Sequence, residues 1–172
     1  ASERYQSVPN VQYVQGSIAE RPFADASFDM VVSFETIEHV PEELQYRFRS
    51  EIRRVLRPGG LLVMSSPDKH TYSELLHFDN EFHVREMYAP EFASFLQEVF
   101  PYTAFYRQGV NDFYLSAVRS LEPGNHQAEV SEFEYDEDKE LYVLAVASDR
   151  PLAALPDLTS FMSRTKAHVP RM

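Results

Sequence analysis

Two short runs, Phe28-Asp29-Met30-Val31-Val32-Ser33-Phe34 and Leu61-Leu62-Val63-Met64-Ser65-Ser66, are apolar through their middles. Runs of this length predict strands buried on both faces, as in a parallel sheet covered by helices. Between them, Leu44, Phe48, Ile52, Val55 and Leu56 recur at spacings of three and four, which makes Pro41 to Arg57 a helix with one buried stripe. Pro41 suits its first turn, with Glu42 and Glu43 at the positive end of the dipole and Arg49, Arg53, Arg54 and Arg57 towards the negative end. Pro58-Gly59-Gly60 ends this helix and turns the chain into the second strand. Strand, helix, strand in this length predicts a right-handed parallel crossover.

Upstream, Val11 to Gln15 alternates and stops at Gly16, predicting a short strand with a turn after it. Pro67 to Ala89 shows no regular period, and Pro90 to Phe100 places Phe92, Phe95, Leu96 and Val99 on one helical face. Thr103–Val110 and Leu141–Ser148 read as two further strands, antiparallel to each other. The sheet is expected to bring these two beside Phe28–Phe34 and Leu61–Ser66.

Composition narrows the function classes. The 172 residues suffice for one domain with a hydrophobic core. Lys and Arg total 16 against 27 Asp and Glu, a net charge of −11, which repels phosphate backbones and argues against a nucleic-acid partner. Eight acids and one lysine between Glu122 and Glu140 carry most of that excess and read as a solvated excursion. The chain has no cysteine, so disulfides, thiolate metal sites and cysteine nucleophiles are excluded. The apolar stretch Leu141–Ala147 is too short to span a bilayer, and Ala1-Ser2-Glu3-Arg4-Tyr5 lacks the build of a signal peptide, so a soluble, cytoplasmic protein with no membrane partner is expected. None of the five glycines makes a G-x-G, so this chain alone builds no glycine-rich nucleotide loop. Residues 1–150 are read as one domain and 151–172, with Pro151, Pro156 and Pro170, as a tail or linker.

Ligands of open parallel sheets bind beyond the carboxyl ends of the strands. Glu35 directly follows a buried strand, a costly place for a carboxylate unless it faces a cleft or a partner, and His39 lies four residues on. Together they offer a proton acceptor and a shuttle near neutral pH. The competing reading has Glu35 capping the next turn and His39 packing against the Pro41 helix. His70, His77, Asp79, Glu81 and His83 invite a metal-site reading, and a metal-dependent hydrolase using His77, Asp79 and His83 is the outlying option. Their spacing matches no strong zinc motif, so a polar loop over a pocket is preferred and no metal ligand is assigned. Tyr72, Phe78, Phe82 and Tyr88 would line a small-molecule cleft or simply fill the core.

Three blocks carry a resemblance: Gln15 to Ser33, Glu35-Thr36-Ile37-Glu38-His39-Val40, and Leu56-Arg57-Pro58-Gly59-Gly60. In order and spacing they are similar to the class I S-adenosylmethionine-dependent methyltransferases, most closely the small-molecule and glycan-type branch. The resemblance implies a Rossmann-like α/β sheet and S-adenosylmethionine as cofactor. It places Gly16, Ser17 and Ile18 at the adenine turn, Ser17 standing where the family has an aspartate. It also places Ser33, Phe34 and Glu35 along the methionine part, Ile37 near the adenine and His39 at the active-site mouth. His70, His83 and Tyr88 are expected towards a small-molecule or glycan substrate.

The family's first strand, its glycine loop and its ribose-binding acid have no counterpart, and Ala1 to Tyr5 resembles the end of the helix that follows them. The expected fold is therefore the family sheet lacking strands 1 and 2, closed by an antiparallel C-terminal hairpin. An upstream segment or a homo-oligomer would complete it. The implied reaction is methyl transfer to an oxygen or nitrogen, with Glu35 or His39 as base. The alternative is a non-catalytic interaction or dimerisation module of the same fold that has lost its cofactor loop.

Overall fold

In the computed structural model, which describes residues 9–20, 22–109 and 140–153, four strands form one sheet. They are β1 (Phe28–Ser33), β2 (Leu56–Pro67), β3 (Tyr102–Gln108) and β4 (Tyr142–Ser148), in the spatial order β1-β2-β4-β3. β1 and β2 run parallel, and β4 runs antiparallel to both β2 and β3. The expected neighbours are therefore neighbours. Helix α1 (Glu42–Val55) makes the crossover between β1 and β2, and α2 (Ala89–Gln97) precedes β3. Between β2 and α2, His70–Leu75 winds as a single π-type turn.

The helices cover one face of the sheet. Phe48, Ile52 and Leu56 from the first crossover meet Leu62 and Met64 of β2, Phe92, Phe95 and Leu96 of α2, and Val143, Ala145 and Ala147 of β4 in one core. The apolar period of α1 delivers Phe48 and Ile52 to this core and buries Val55, as expected. It also buries two polar residues, Gln45 and Arg49. Arg49 donates through Nη1 to the Phe95 carbonyl and, at 2.7 Å, to Glu98, with its guanidinium against the Tyr46 and Phe95 rings, which offsets part of its burial, while its Nε has no partner among the described residues.

Three expectations are corrected. Val11–Gln15 is not a strand: it has no ladder partner among the described residues, and Val11, Tyr13 and Val14 are exposed. A segment with no strand beside it leaves its backbone groups to water, whatever its side-chain alternation. β1 is not buried on both faces. Val31 and Ser33 face the core, while Met30, Val32 and Phe34 are about half exposed, because no helix of the described residues covers that side and β1 is the sheet edge. Pro58-Gly59-Gly60 is not a turn outside the sheet but part of β2. The register jumps from Phe28↔Leu56 to Met30↔Leu61, so Arg57 to Gly60 bulge out of the ladder. Gly59 takes φ +80° there, and its N–H donates to Asp149 Oδ1 at 2.7 Å.

The acidic stretch 122–139, Val110 at the end of the expected strand Thr103–Val110, and residues 1–8 and 154–172 lie outside the described residues. Among the described residues no helix is long and apolar enough to cross a membrane.

Candidate functional site

The site lies where the parallel pair β1 and β2 ends. After Ser33, which is buried, Phe34 stands half exposed and Glu35 adopts φ +47°, a left-handed conformation costly for a residue with a Cβ. Ser65 of β2 holds Glu35 at two points. Its Oγ accepts the Glu35 N–H at 3.3 Å and donates to Glu35 Oε1 at 2.6 Å. Burial pushes the Glu35 carboxyl above the ordinary carboxylate range, and the Ser65 hydrogen bond opposes that only partly. Glu35 therefore does not cap the next turn; its carboxylate reaches sideways to the neighbouring strand.

The chain then makes a short 3-10 turn, Ile37–His39, which brings Ile37 and Glu38 to complete burial. Gln45 of α1 secures the turn by donating to the Ile37 carbonyl at 2.9 Å. The loop from Asn80 to Glu86 docks onto it: the Val84 and Arg85 N–H groups both donate to the Glu38 carbonyl, at 2.8 and 3.0 Å. His39 Nδ1 donates to the Phe82 carbonyl at 2.8 Å. His39 is thus held by this loop and not by α1. The His39 and His83 rings meet edge to face at 5.0 Å. His83 Nδ1 lies 2.5 Å from Glu86 Oε1, whose other oxygen accepts from Ser73 Oγ.

Among the described residues, neither carboxylate oxygen of Glu38 has a hydrogen-bond partner. Its pKa is raised chiefly by burial, with its own amide, His39 and His83 offsetting part of the effect.

The three residues expected near a substrate separate. His83 joins Glu38 and His39. His70 and Tyr88 instead share one exposed carboxylate, Glu74, which lies 3.3 Å from His70 Nδ1 and accepts from the Tyr88 hydroxyl at 2.6 Å. His77 and Asp79 are exposed along an open recess of about 570 Å³ that also reaches Lys69, Ser73, Phe78 and His83. His83, Val84 and Arg85 line this recess and also meet the Glu38–His39 turn.

At the expected adenine turn, Ser17 Oγ accepts the Ala19 N–H at 3.2 Å and Ile18 packs against the core. Gly16 sits so close to Pro22 that a Cβ would lie 3.1 Å from its ring. Ile37, expected beside a cofactor ring, is an interior core residue. The sequence reading missed Glu38 and Gln45, whose only signal was a polar residue at a helical core position and an acid next to a histidine.

With this geometry in place, relatives give it a context. Residues 1–64 match the family model described as a methyltransferase domain. A probable S-adenosylmethionine-dependent methyltransferase of Mycolicibacterium smegmatis is 43% identical over 90 residues, which make up 52% of this chain and 34% of that protein. The chain thus spans about a third of the length of this curated relative.

Among solved structures, an S-adenosylmethionine-dependent methyltransferase of Thermotoga maritima superposes with a TM-score of 0.58 at 19% identity, covering 87% of this chain and 69% of that one. The Burkholderia thailandensis 1,6-didemethyltoxoflavin-N1-methyltransferase, solved with its small-molecule substrate and S-adenosylhomocysteine, gives 0.52 at 16% identity, covering 85% and 54%. The small RNA methyltransferase HEN1 gives 0.51 at 21% identity, covering 77% and 15%. The fold is the Rossmann-like fold of these methyltransferases.

Proposed function

We propose that this chain takes part in transfer of a methyl group from S-adenosylmethionine to an oxygen or nitrogen of a small molecule or sugar. The observation that carries the proposal is the desolvated Glu35 carboxylate, held by Ser65 beyond the carboxyl ends of two parallel strands. The methyltransferase match over residues 1–64 and the names of the relatives support the reaction class. The charge of −11 favours a small acceptor over a polyanionic one, and the lack of cysteine agrees with a cytoplasmic setting.

The residues fit such a cofactor on one side: Phe34 offers a half-exposed apolar surface at the end of β1. The turn Gly16-Ser17-Ile18 and the strand end Ser33-Phe34-Glu35 would hold it, and when bound it supplies the methyl group. Glu35 would orient the acceptor and take its proton, a role its raised pKa suits. His39 has Nδ1 committed to Phe82, which leaves only its Nε2, 3.6 Å from Glu38 Oε1, for proton exchange.

Calorimetry with S-adenosylmethionine and transfer of a labelled methyl group to a panel of sugar, hydroxyl and amine acceptors test the proposal. Because the chain has no G-x-G segment, we expect a dissociation constant weaker than about 10 μM, with transfer detectable at saturating cofactor. No saturable binding up to roughly 1 mM would remove the catalytic reading and leave a non-catalytic interaction module of the same fold.

A further inference from the structure

We propose that the recess bordered by the π-type turn and the loop from His77 to Glu86 binds one neutral monosaccharide unit. That this sugar is the methyl acceptor rests on the function proposed above; that it binds does not. The recess holds about 570 Å³, within the roughly 300–1,000 Å³ of small-molecule clefts.

The balance of its lining selects the ligand class. Two cations, Lys69 and Arg85, are matched by two carboxylates, Asp79 and Glu86. Arg85 is already paired with Glu42 and Glu91, and Glu86 is held by Ser73 and His83. No surplus of positive charge is left for a phosphate. Phe78 and Val84 are the only apolar side chains of the lining, too few for a lipid or a hydrocarbon. An uncharged polar molecule with one apolar face fits both facts.

Three side chains lie ready to meet hydroxyls. Among the described residues the Asp79 and His77 side chains make no hydrogen bond or ion pair, and Lys69 Nζ has no carboxylate partner but sits 5.1 Å from the centre of the Tyr88 ring. A carboxylate only accepts and an ammonium only donates, so this pair suits a ligand whose groups do both, as vicinal hydroxyls do. Phe78 is about half exposed, its ring braced by Tyr72 at 5.3 Å, and offers a flat surface to the C–H face of a sugar ring.

The rim is set before any ligand arrives. The Leu76 and Phe78 N–H groups donate to the Thr71 and Tyr72 carbonyls at 3.1 and 3.0 Å, and between them His77 takes φ +53°. Further on, the His83 N–H donates to the Asn80 carbonyl at 2.9 Å, and Asn80 Oδ1 accepts the Phe82 N–H at 3.1 Å. Phe78 and Asp79 thus stand between two closed turns, which lowers the cost of ordering them around a ligand.

Methyl glucoside, methyl galactoside and methyl mannoside, titrated into the isotope-labelled full chain and followed by backbone-amide NMR, test the site. Glycine and inorganic phosphate serve as charged controls, and circular dichroism confirms the fold of each variant. At least one glycoside should bind saturably with a dissociation constant on the order of 1 mM, shifting the Ser73, Phe78 and Asp79 amides most. Asp79→Ala and Phe78→Ala should each weaken it by about 10-fold. Glu81→Gln, exposed on the same loop but outside the recess, should leave it unchanged. No saturable shift with any glycoside up to about 100 mM would overturn the proposal. Unchanged affinity in both folded recess variants would do the same, as would tighter binding of glycine or phosphate. A labelled-methyl assay on the same sugars reads the acceptor role separately: a sugar that binds here and is not methylated removes that role while the site stands.

Discussion

Gln45 joins the core to the candidate site, and replacing it by leucine should damage both. Its side chain is fully buried on α1, donates to the Ile37 carbonyl at 2.9 Å and the Arg85 carbonyl at 2.8 Å, and accepts from Arg85 Nη1 at 2.6 Å. Leucine of similar volume fills the space but removes all three bonds. The Ile37 and Arg85 carbonyls would then lose their side-chain partner. At about 1–3 kcal/mol for each buried group stripped of its partner, the expected loss is roughly 2–5 kcal/mol. For a chain of this size that corresponds to a fall in melting temperature on the order of 5–15 °C.

Urea denaturation of wild type and Gln45→Leu, compared at the same slope, measures it. Gln45→Glu separates two explanations. If Gln45 matters only as a partner of Arg85, glutamate would be tolerated; if it matters as the donor to two carbonyls, glutamate should be as damaging as leucine. Gln45 also ties the turn carrying Glu38 and His39 to the loop carrying His83. The Val84 and Arg85 amide bonds to Glu38 persist, so the site loosens without disappearing. A stability change below about 0.5 kcal/mol in both variants would refute this reasoning.

Glu35→Gln keeps an oxygen for Ser65 and should leave the melting temperature nearly unchanged while lowering methyl transfer by roughly 100-fold, measured with labelled cofactor. Gly60→Ala should destabilise by about 1–3 kcal/mol in a thermal melt, because its Cβ would fall 2.9 Å from the Arg57 carbonyl oxygen and 3.2 Å from that of Asp29, both backbone atoms. Asp68 is buried, accepts the Ala89 N–H and pairs with Arg107 at 3.0 Å; Asp68→Ala should cost roughly 2–4 kcal/mol by urea titration, near the lower end if the half-exposed Arg107 turns to solvent.

What local pattern carries was legible. The three-and-four spacing of Phe48, Ile52 and Val55 marks α1, and the short apolar runs mark β1, β2 and β4, because side-chain periodicity is set by backbone geometry wherever one face is buried. The crossover between β1 and β2 follows from the same elements, since a helix of this length leaves a parallel partner within reach. Burial of the far face of β1 was not legible, because Met30, Val32 and Phe34 are apolar whether or not anything lies over them. The bulge at Arg57 to Gly60 was hidden too: Pro-Gly-Gly reads as a turn, and only pairing with Asp29's strand makes it an interruption inside β2.

The candidate site divides along the same line. The sequence by itself determined that Glu35 and His39 follow a strand, and that histidines gather between His70 and His83. Proximity along the chain suggested that those later histidines would act together. Tertiary structure alone decided that His83 leaves them to meet Glu38 and His39, about 45 residues away, while His70 turns to Glu74 on the surface. The physical reason is that the meeting is made by backbone amides of Val84 and Arg85 reaching the Glu38 carbonyl and by Gln45 between them, bonds that any residue's main chain can form and that leave no mark in the order of side chains.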